Sequence, residues 1–145
     1  MQTLSTQIKT TRVSNAVAAG ATTVDSNIIN TVGFSNHRFV FSIGTITAGA
    51  LLRLRLQQGN AADLSDAEDL DLDVDWTDTD DNRLGLIECV LPSKRYLRAR
   101  VERATQNTVL DGIVCEQYNA RNLPTTDDAT TVKHRTVSVT PNVDN

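Results

Sequence analysis

Asp69-Leu70-Asp71-Leu72-Asp73-Val74-Asp75-Trp76 alternates acid and apolar residues without a break. Neighbours in an extended strand point to opposite faces, so Leu70, Leu72, Val74 and Trp76 share one face and the four aspartates share the other. A helix would spread the same residues around its circumference, and Asp and Val are poor helix formers. The same period returns in Leu52-Arg53-Leu54-Arg55-Leu56 and in Leu97-Arg98-Ala99-Arg100-Val101, with arginine as the outward residue. The three stretches together predict an all-β protein of antiparallel strands, each with one face in the core.

Working outward, strand-like segments at 11–17, 22–29, 38–46, 50–57, 70–76, 83–91, 95–103 and 109–118 give about eight strands. Gly20, Gly33, Gly44, Gly49 and Gly59 separate the early ones, and Pro92-Ser93-Lys94 and Thr105-Gln106-Asn107 supply later turns. Short strands at this spacing predict an antiparallel β-sandwich, jelly-roll-like, in place of a βαβ fold. A chain of 145 residues suits one such domain. Its expected bounds are residues 11–118, with an extended polar arm at 1–10 and a second arm at 119–145. The second arm is rich in Thr, Asp, Asn and Pro and holds no aromatic residue, so alone it cannot offset its ordering entropy. It is expected to be disordered in the free chain or ordered against a partner, and Val137-Ser138-Val139 has the alternation of a strand that adds to another subunit's sheet edge. One short helix of at most two turns is expected over Asn60–Glu68, with Asn60 as its N-cap.

Charge is segregated. Ten of the eighteen acids, and no base, lie between Asp63 and Asp81, whereas Lys94 to Arg103 carries five bases and one acid. Opposite signs on separate strands can pair across a sheet or across a subunit interface. The candidate interface residues are Asp69, Asp71, Asp73 and Asp75 with Arg53, Arg55, Arg98 and Arg100, and the competing reading is a solvated, salt-bridge-laced face. A net charge of −4 argues against general nucleic-acid binding, which needs clustered Lys and Arg.

The amino terminus has no basic region followed by an apolar one, which predicts synthesis and retention in the cytoplasm of the producing cell. No apolar run approaches the roughly 20 residues that span a bilayer, so no membrane partner is expected. Cys89 and Cys115 lie in apolar strands and read as small buried hydrophobes. If the strands at 83–91, 95–103 and 109–118 form a meander, the two sulfurs sit two strands apart, beyond disulfide reach; another strand order would permit the bond.

The search for chemistry excludes more than it finds. His37 and His134 lie in unlike contexts without a nucleophile and orienting group, and GxSxG, HExxH and phosphate-cradling glycine motifs are absent. No enzymatic activity and no cofactor are expected. Asp78-Thr79-Asp80-Asp81-Asn82 begins like a calcium loop, but Arg83 stands where glycine is needed and Cys89 where the bidentate acid is needed. Asp75, Asp78, Asp80 and Asp81 remain weak candidates for a cation in a turn. Outward aspartates on one strand point in parallel, unlike the converging pair of a glycosidase, and Trp76 reads as a core plug.

Val13-Ser14-Asn15-Ala16-Val17-Ala18-Ala19-Gly20, the stretch from Phe41 through Ile46 to Ala50, and the stretch from Arg103 to Val114 resemble a group of small tailed-bacteriophage virion proteins. The likeness extends to Gln57-Gln58-Gly59, Asp80-Asp81-Asn82 and Asp128-Ala129-Thr130-Thr131-Val132, and so covers most of the chain. The resemblance implies a capsid decoration or cement protein on the outside of the virion, with the major capsid protein as partner and a homotrimer as the assembly. Two alternatives stay open: a head-tail connector or minor tail protein, and a host-surface or carbohydrate-binding module. The shortage of aromatic residues weighs against the last.

Overall fold

The alternation seen in the sequence becomes two packed antiparallel sheets in the structure, a computed structural model that describes residues 3–70 and 74–139. Asp71, Leu72 and Asp73 of the acidic run lie outside the described residues. Eleven strands follow one another along the described chain: β1 (Lys9–Ser14), β2 (Val17–Gly20), β3 (Val24–Asp25), β4 (Ile29–Asn30), β5 (Phe34–Ile46), β6 (Leu51–Gly59), β7 (Glu68–Asp69), β8 (Val74–Trp76), β9 (Leu84–Val90), β10 (Tyr96–Ala104) and β11 (Thr108–Ala120). Sheet A has the order β1-β11-β5-β9, with β2 also on β11. Sheet B has the order β3-β10-β6-β7, with β4 also on β10 and β8 on β6.

Eleven strands are described where about eight were expected: the stretches 11–17 and 22–29 are each split in two, with both pieces on the same neighbour, and β7 and β8 both pair with β6. The stretch 22–29 breaks at Ser26, whose hydroxyl accepts the Ala99 N–H at 2.9 Å, and at Asn27, whose N–H crosses to Val13 O at 2.7 Å. In the acidic run, Asp69 of β7 stands opposite Gln57 and Asp75 of β8 opposite Arg53, so both pieces pair with β6.

The expected helix over Asn60–Glu68 is a run of turns. The Asp66 carboxylate accepts the N–H groups of Asn60 and Ala61 at 2.8 and 3.1 Å, and Asp63 accepts that of Ser65 at 3.0 Å. Such local bonds offer the backbone an alternative to helix.

Between the sheets, Leu52, Leu54, Leu56, Leu97, Ala99 and Val101 meet Phe39, Phe41, Ile43, Ile113 and Cys115, all buried. Trp76 packs against this core. A Cβ on Gly85 would lie 2.6 Å from Leu54 Cδ1 and 2.9 Å from Trp76 Cζ2, so the missing side chain lets β9 approach sheet B. Gly112, at φ +151°, sits where β11 shifts register against β5, a conformation that L side chains rarely adopt.

The strands at 84–90, 96–104 and 108–120 do not form the expected meander. β10 runs along β6 in unbroken register from Tyr96 opposite Gly59 to Ala104 opposite Leu51, burying the apolar faces of both strands together. β9 and β11 instead flank β5, with Cys89 opposite His37 and Cys115 opposite Phe39. The cysteines remain two strands apart, and both are free thiols.

Candidate interaction surfaces

On the outer face of sheet B the alternating arginines and acids form a cross-strand network. Register places Arg100 directly opposite Arg55, a like-charge pair that would be destabilising alone. Carboxylates from the flanking strands resolve it. Asp25 on β3 takes Arg100 in a two-point grip at 2.7 and 3.0 Å and lies 3.6 Å from Arg98. On the other flank Arg55 donates to Asp69 of β7 at 2.7 Å, and Glu102 of β10 itself lies 3.4 Å from Arg55. Gln57 bridges the halves, accepting from Arg98 and donating to Asp69, each at 2.7 Å. Arg53 donates to Asp75 at 3.0 Å. The Gln57 amide, and then Arg55, hold the Asp69 carboxyl below its usual range, and the bond to Asp25 raises Arg100 further.

Of the candidate interface residues, Arg53 meets Asp75 and Arg55 meets Asp69, whereas Arg98 and Arg100 lie one strand further away and meet Asp25. Asp71 and Asp73 fall outside the described residues. Asp25, Gln57 and Glu102 were not singled out from sequence. Glu102 continues the parity of Arg98 and Arg100, a signal that was there to read. The same parity turns Arg103 inward. It is 5% exposed and donates to the carbonyls of Thr22, Ala18 and Thr108 at 2.9, 2.9 and 2.7 Å, with burial lowering its pKa.

The weak cation candidates have other employment. Asp75 holds Arg53, and Asp80 accepts the Thr77 N–H at 2.9 Å and pairs with Arg83 at 3.0 Å. Asp81 accepts the Ile46 N–H, and Asp78 opens the 3-10 turn Asp78–Asp80. No group of three or more His, Cys, Asp or Glu able to hold a metal occurs among the described residues.

Sheet A presents a different surface. Register lines up Leu86, Val40 and Val114 across β9, β5 and β11, with Arg12 at the end of the row. Leu84, Leu86, Val90 and the following Leu91 are 62, 57, 57 and 73% exposed, an apolar margin along β9. The next row is charged: Arg38 lies opposite both Glu88 and Glu116 and donates to Glu116 at 2.9 Å. Among the described residues, Glu88 has one long hydrogen bond, from the Asn36 amide at 3.4 Å.

The two edges of this sheet are treated differently. Along β1, the segment after β11 turns back: Asp127 Oδ1 accepts the Thr10 N–H at 2.8 Å, the Asp128 N–H reaches Thr10 O at 3.1 Å, and Thr131 Oγ1 accepts the Arg12 N–H at 3.1 Å. The partner of this stretch is therefore the chain's own first strand. His134 Nδ1 lies 2.7 Å from Asp127 Oδ2, which holds His134 at this edge. At β9, the bonds Ile43 N–H to Arg83 O and Leu91 N–H to Ser35 O fix which residues face β5. Alternation then points the N–H and C=O groups of Leu84, Leu86, Glu88 and Val90 away from the sheet, where no described residue meets them.

Beneath β9, His37 is fully buried, with Gln117 Nε2 at 3.2 Å from Nδ1. Burial lowers its pKa to about 4, against a smaller opposing effect of the Phe34 backbone. Burial raises the pKa of both cysteines.

The molecule is thus an antiparallel β-sandwich with one charged, internally paired outer face and one partly apolar face ending in an open edge. No protein-family profile and no curated protein matches the chain. Among solved structures, it is similar to a chain in the structure of infectious bursal disease virus, Gx strain, with a TM-score of 0.48 and 12% identity. The match covers 81% of this chain and 34% of that one, so this chain spans about a third of that chain's length.

Proposed function

We propose that this chain is a structural protein of the tailed-bacteriophage virion, a decoration or cement protein that binds the outside of the capsid shell as a homotrimer. Its partners in this reading are the major capsid protein and further copies of itself, and its work is adhesion, not catalysis. The observation that carries the reading is the apolar margin of sheet A beside an unpaired strand edge, a surface suited to another protein. The charged face of sheet B suits water, because its ions already pair within the chain.

The resemblance to phage virion proteins adds support from a structural direction. Its three main segments meet at one end of the sandwich: Thr108 stands opposite Gly20 and Ile46, Leu110 opposite Val17 and Ile43, and Arg103 reaches Ala18 O. They meet as neighbouring strands of one scaffold. A shell protein repeated over many equivalent sites gains avidity from oligomerisation without a large individual interface.

Quantitative mass spectrometry of particles carrying this protein, against the major capsid protein, tests the reading. Hundreds of copies per particle are expected for decoration at regular shell sites. About six to twelve copies would transfer the chain to a connector or tail, and absence from particles would overturn a virion role.

A further inference from the structure

We propose that residues Arg135–Val139 of one copy add as a strand to the open edge of β9 in a neighbouring copy. The inference rests on the self-association put forward above and not on a place in the virion.

The edge is built to accept a strand. β9 pairs with β5 over seven consecutive residues without a register shift, and it carries no proline and no lysine, the usual devices that blunt an edge. Its outward backbone groups belong to Leu84, Leu86, Glu88 and Val90, whose side chains all share the outer face. An incoming antiparallel strand must place its own exchanging residues opposite these four.

The tail has the complementary pattern. Val137 and Val139 are 74 and 81% exposed and alternate with Ser138. Antiparallel pairing of Val137 with Leu86 puts Val139 opposite Leu84 and Arg135 opposite Glu88. One register therefore matches two apolar pairs and one ion pair on a single face. Glu88 is the acid whose neighbour Arg38 is already engaged by Glu116. Cross-strand apolar and opposite-charge pairs of this kind are the unit of sheet stabilisation.

The neighbour must be a second copy. His134 is held at Asp127, which is bonded to Thr10 on the far edge of the sheet, and Arg135 is the next residue, about 3.8 Å further along the chain. A strand outside β9 lies four inter-strand spacings from β1, about 19 Å. While His134 stays in place, Arg135 cannot stand opposite its own Glu88, so the contact joins the β1 side of one copy to the β9 side of the next. Such a head-to-tail contact closes into a ring when its rotation permits, as a trimer does.

Sedimentation of the purified full chain over a range of concentrations tests this. The unaltered protein is expected to self-associate. Arg135→Glu, on an exposed tail residue outside the core, is expected to weaken association about tenfold by placing two acids opposite each other. Adding Glu88→Lys to that variant is expected to restore it. Leu86→Pro removes an outward N–H without touching the bonds to β5 and is expected to leave a folded monomer, judged by an unchanged circular dichroism spectrum. A protein that stays monomeric, or an Arg135→Glu variant that associates like the parent, would overturn the tail exchange. Copy number in particles is a separate readout, so either proposal can fail without the other.

Discussion

The edges of sheet A differ in a way that the strands themselves do not explain. At β1 the outward N–H groups of Thr10 and Arg12 are met by Asp127 and Thr131 from the returning tail. At β9 the corresponding groups of Leu84, Leu86, Glu88 and Val90 meet no described residue, and the side chains beside them are mostly apolar. An unguarded strand edge invites pairing, and proteins ordinarily suppress it. With one edge guarded by a side-chain strap, sheet A offers β9 as the edge for the proposed pairing between copies.

The most severe way to break the comparison is to remove what both edges hang from. Phe39 lies on β5, opposite Ile87 of β9 and Cys115 of β11, and is fully buried. Phe39→Ala should cost about 3–5 kcal/mol in urea unfolding and loosen both edges together. Loss at one edge alone would mean that the sheet is not a single cooperative unit.

A second test acts under β9. His37 has a folded pKa of about 4 against an ordinary 6.5, so the unfolded chain takes up the proton first as the pH falls. Its contribution is complete above about pH 6.5, is lost between there and about pH 4, and amounts to at most about 3 kcal/mol. Urea midpoints measured across that window should fall toward acid, and His37→Leu should flatten this part of the curve. An unchanged slope in the variant would remove His37 from the account.

At the guarded edge the expected effect is smaller. Asp127→Ala removes the acceptor of the Thr10 N–H and the tie to His134, and should cost about 1–2 kcal/mol. Burial pushes the Asp127 carboxyl up, but the bonds from His134 and Thr10 outweigh it and leave the pKa lowered. The strap's contribution is therefore present above the ordinary carboxylate range and is lost as pH falls through the lower folded value. Limited proteolysis after residue 120 should speed up in the variant and leave β9 no more accessible than before.

The smallest effect is expected on sheet B. Asp25→Asn weakens the grip on Arg100 and exposes its opposition to Arg55, on a partly solvated face where each pair contributes less than about 1 kcal/mol. The loss should shrink further in high salt, which thermal unfolding at two ionic strengths would detect.

Much of the sheet architecture was legible because alternation carries face information. The parity of Leu52 to Leu56 and of Leu97 to Val101 assigned Leu52, Leu54, Leu56, Leu97, Ala99 and Val101 to the core correctly, though not the inward Gln58 and Arg103 further along the same strands. Strand order was another matter: a period of two states which face is buried but not which strand lies alongside, and β9 went to β5 instead of β10. The strap was hidden for a related reason, since Asp127 and Thr131 act through single side-chain bonds to a strand more than a hundred residues away. In the charged network the arginines were plain, but their main partner, Asp25, sat in a stretch with no charge pattern of its own.

Hydrogen exchange of individual backbone amides tests the asymmetry most directly. In dilute protein, the amides of Thr10 and Arg12 should exchange slowly, while those of Leu84, Leu86 and Glu88 exchange quickly and gain protection only as concentration rises. Protection of the β9 amides at every dilution, or rapid exchange at Thr10 and Arg12, would contradict the picture of one guarded and one open edge.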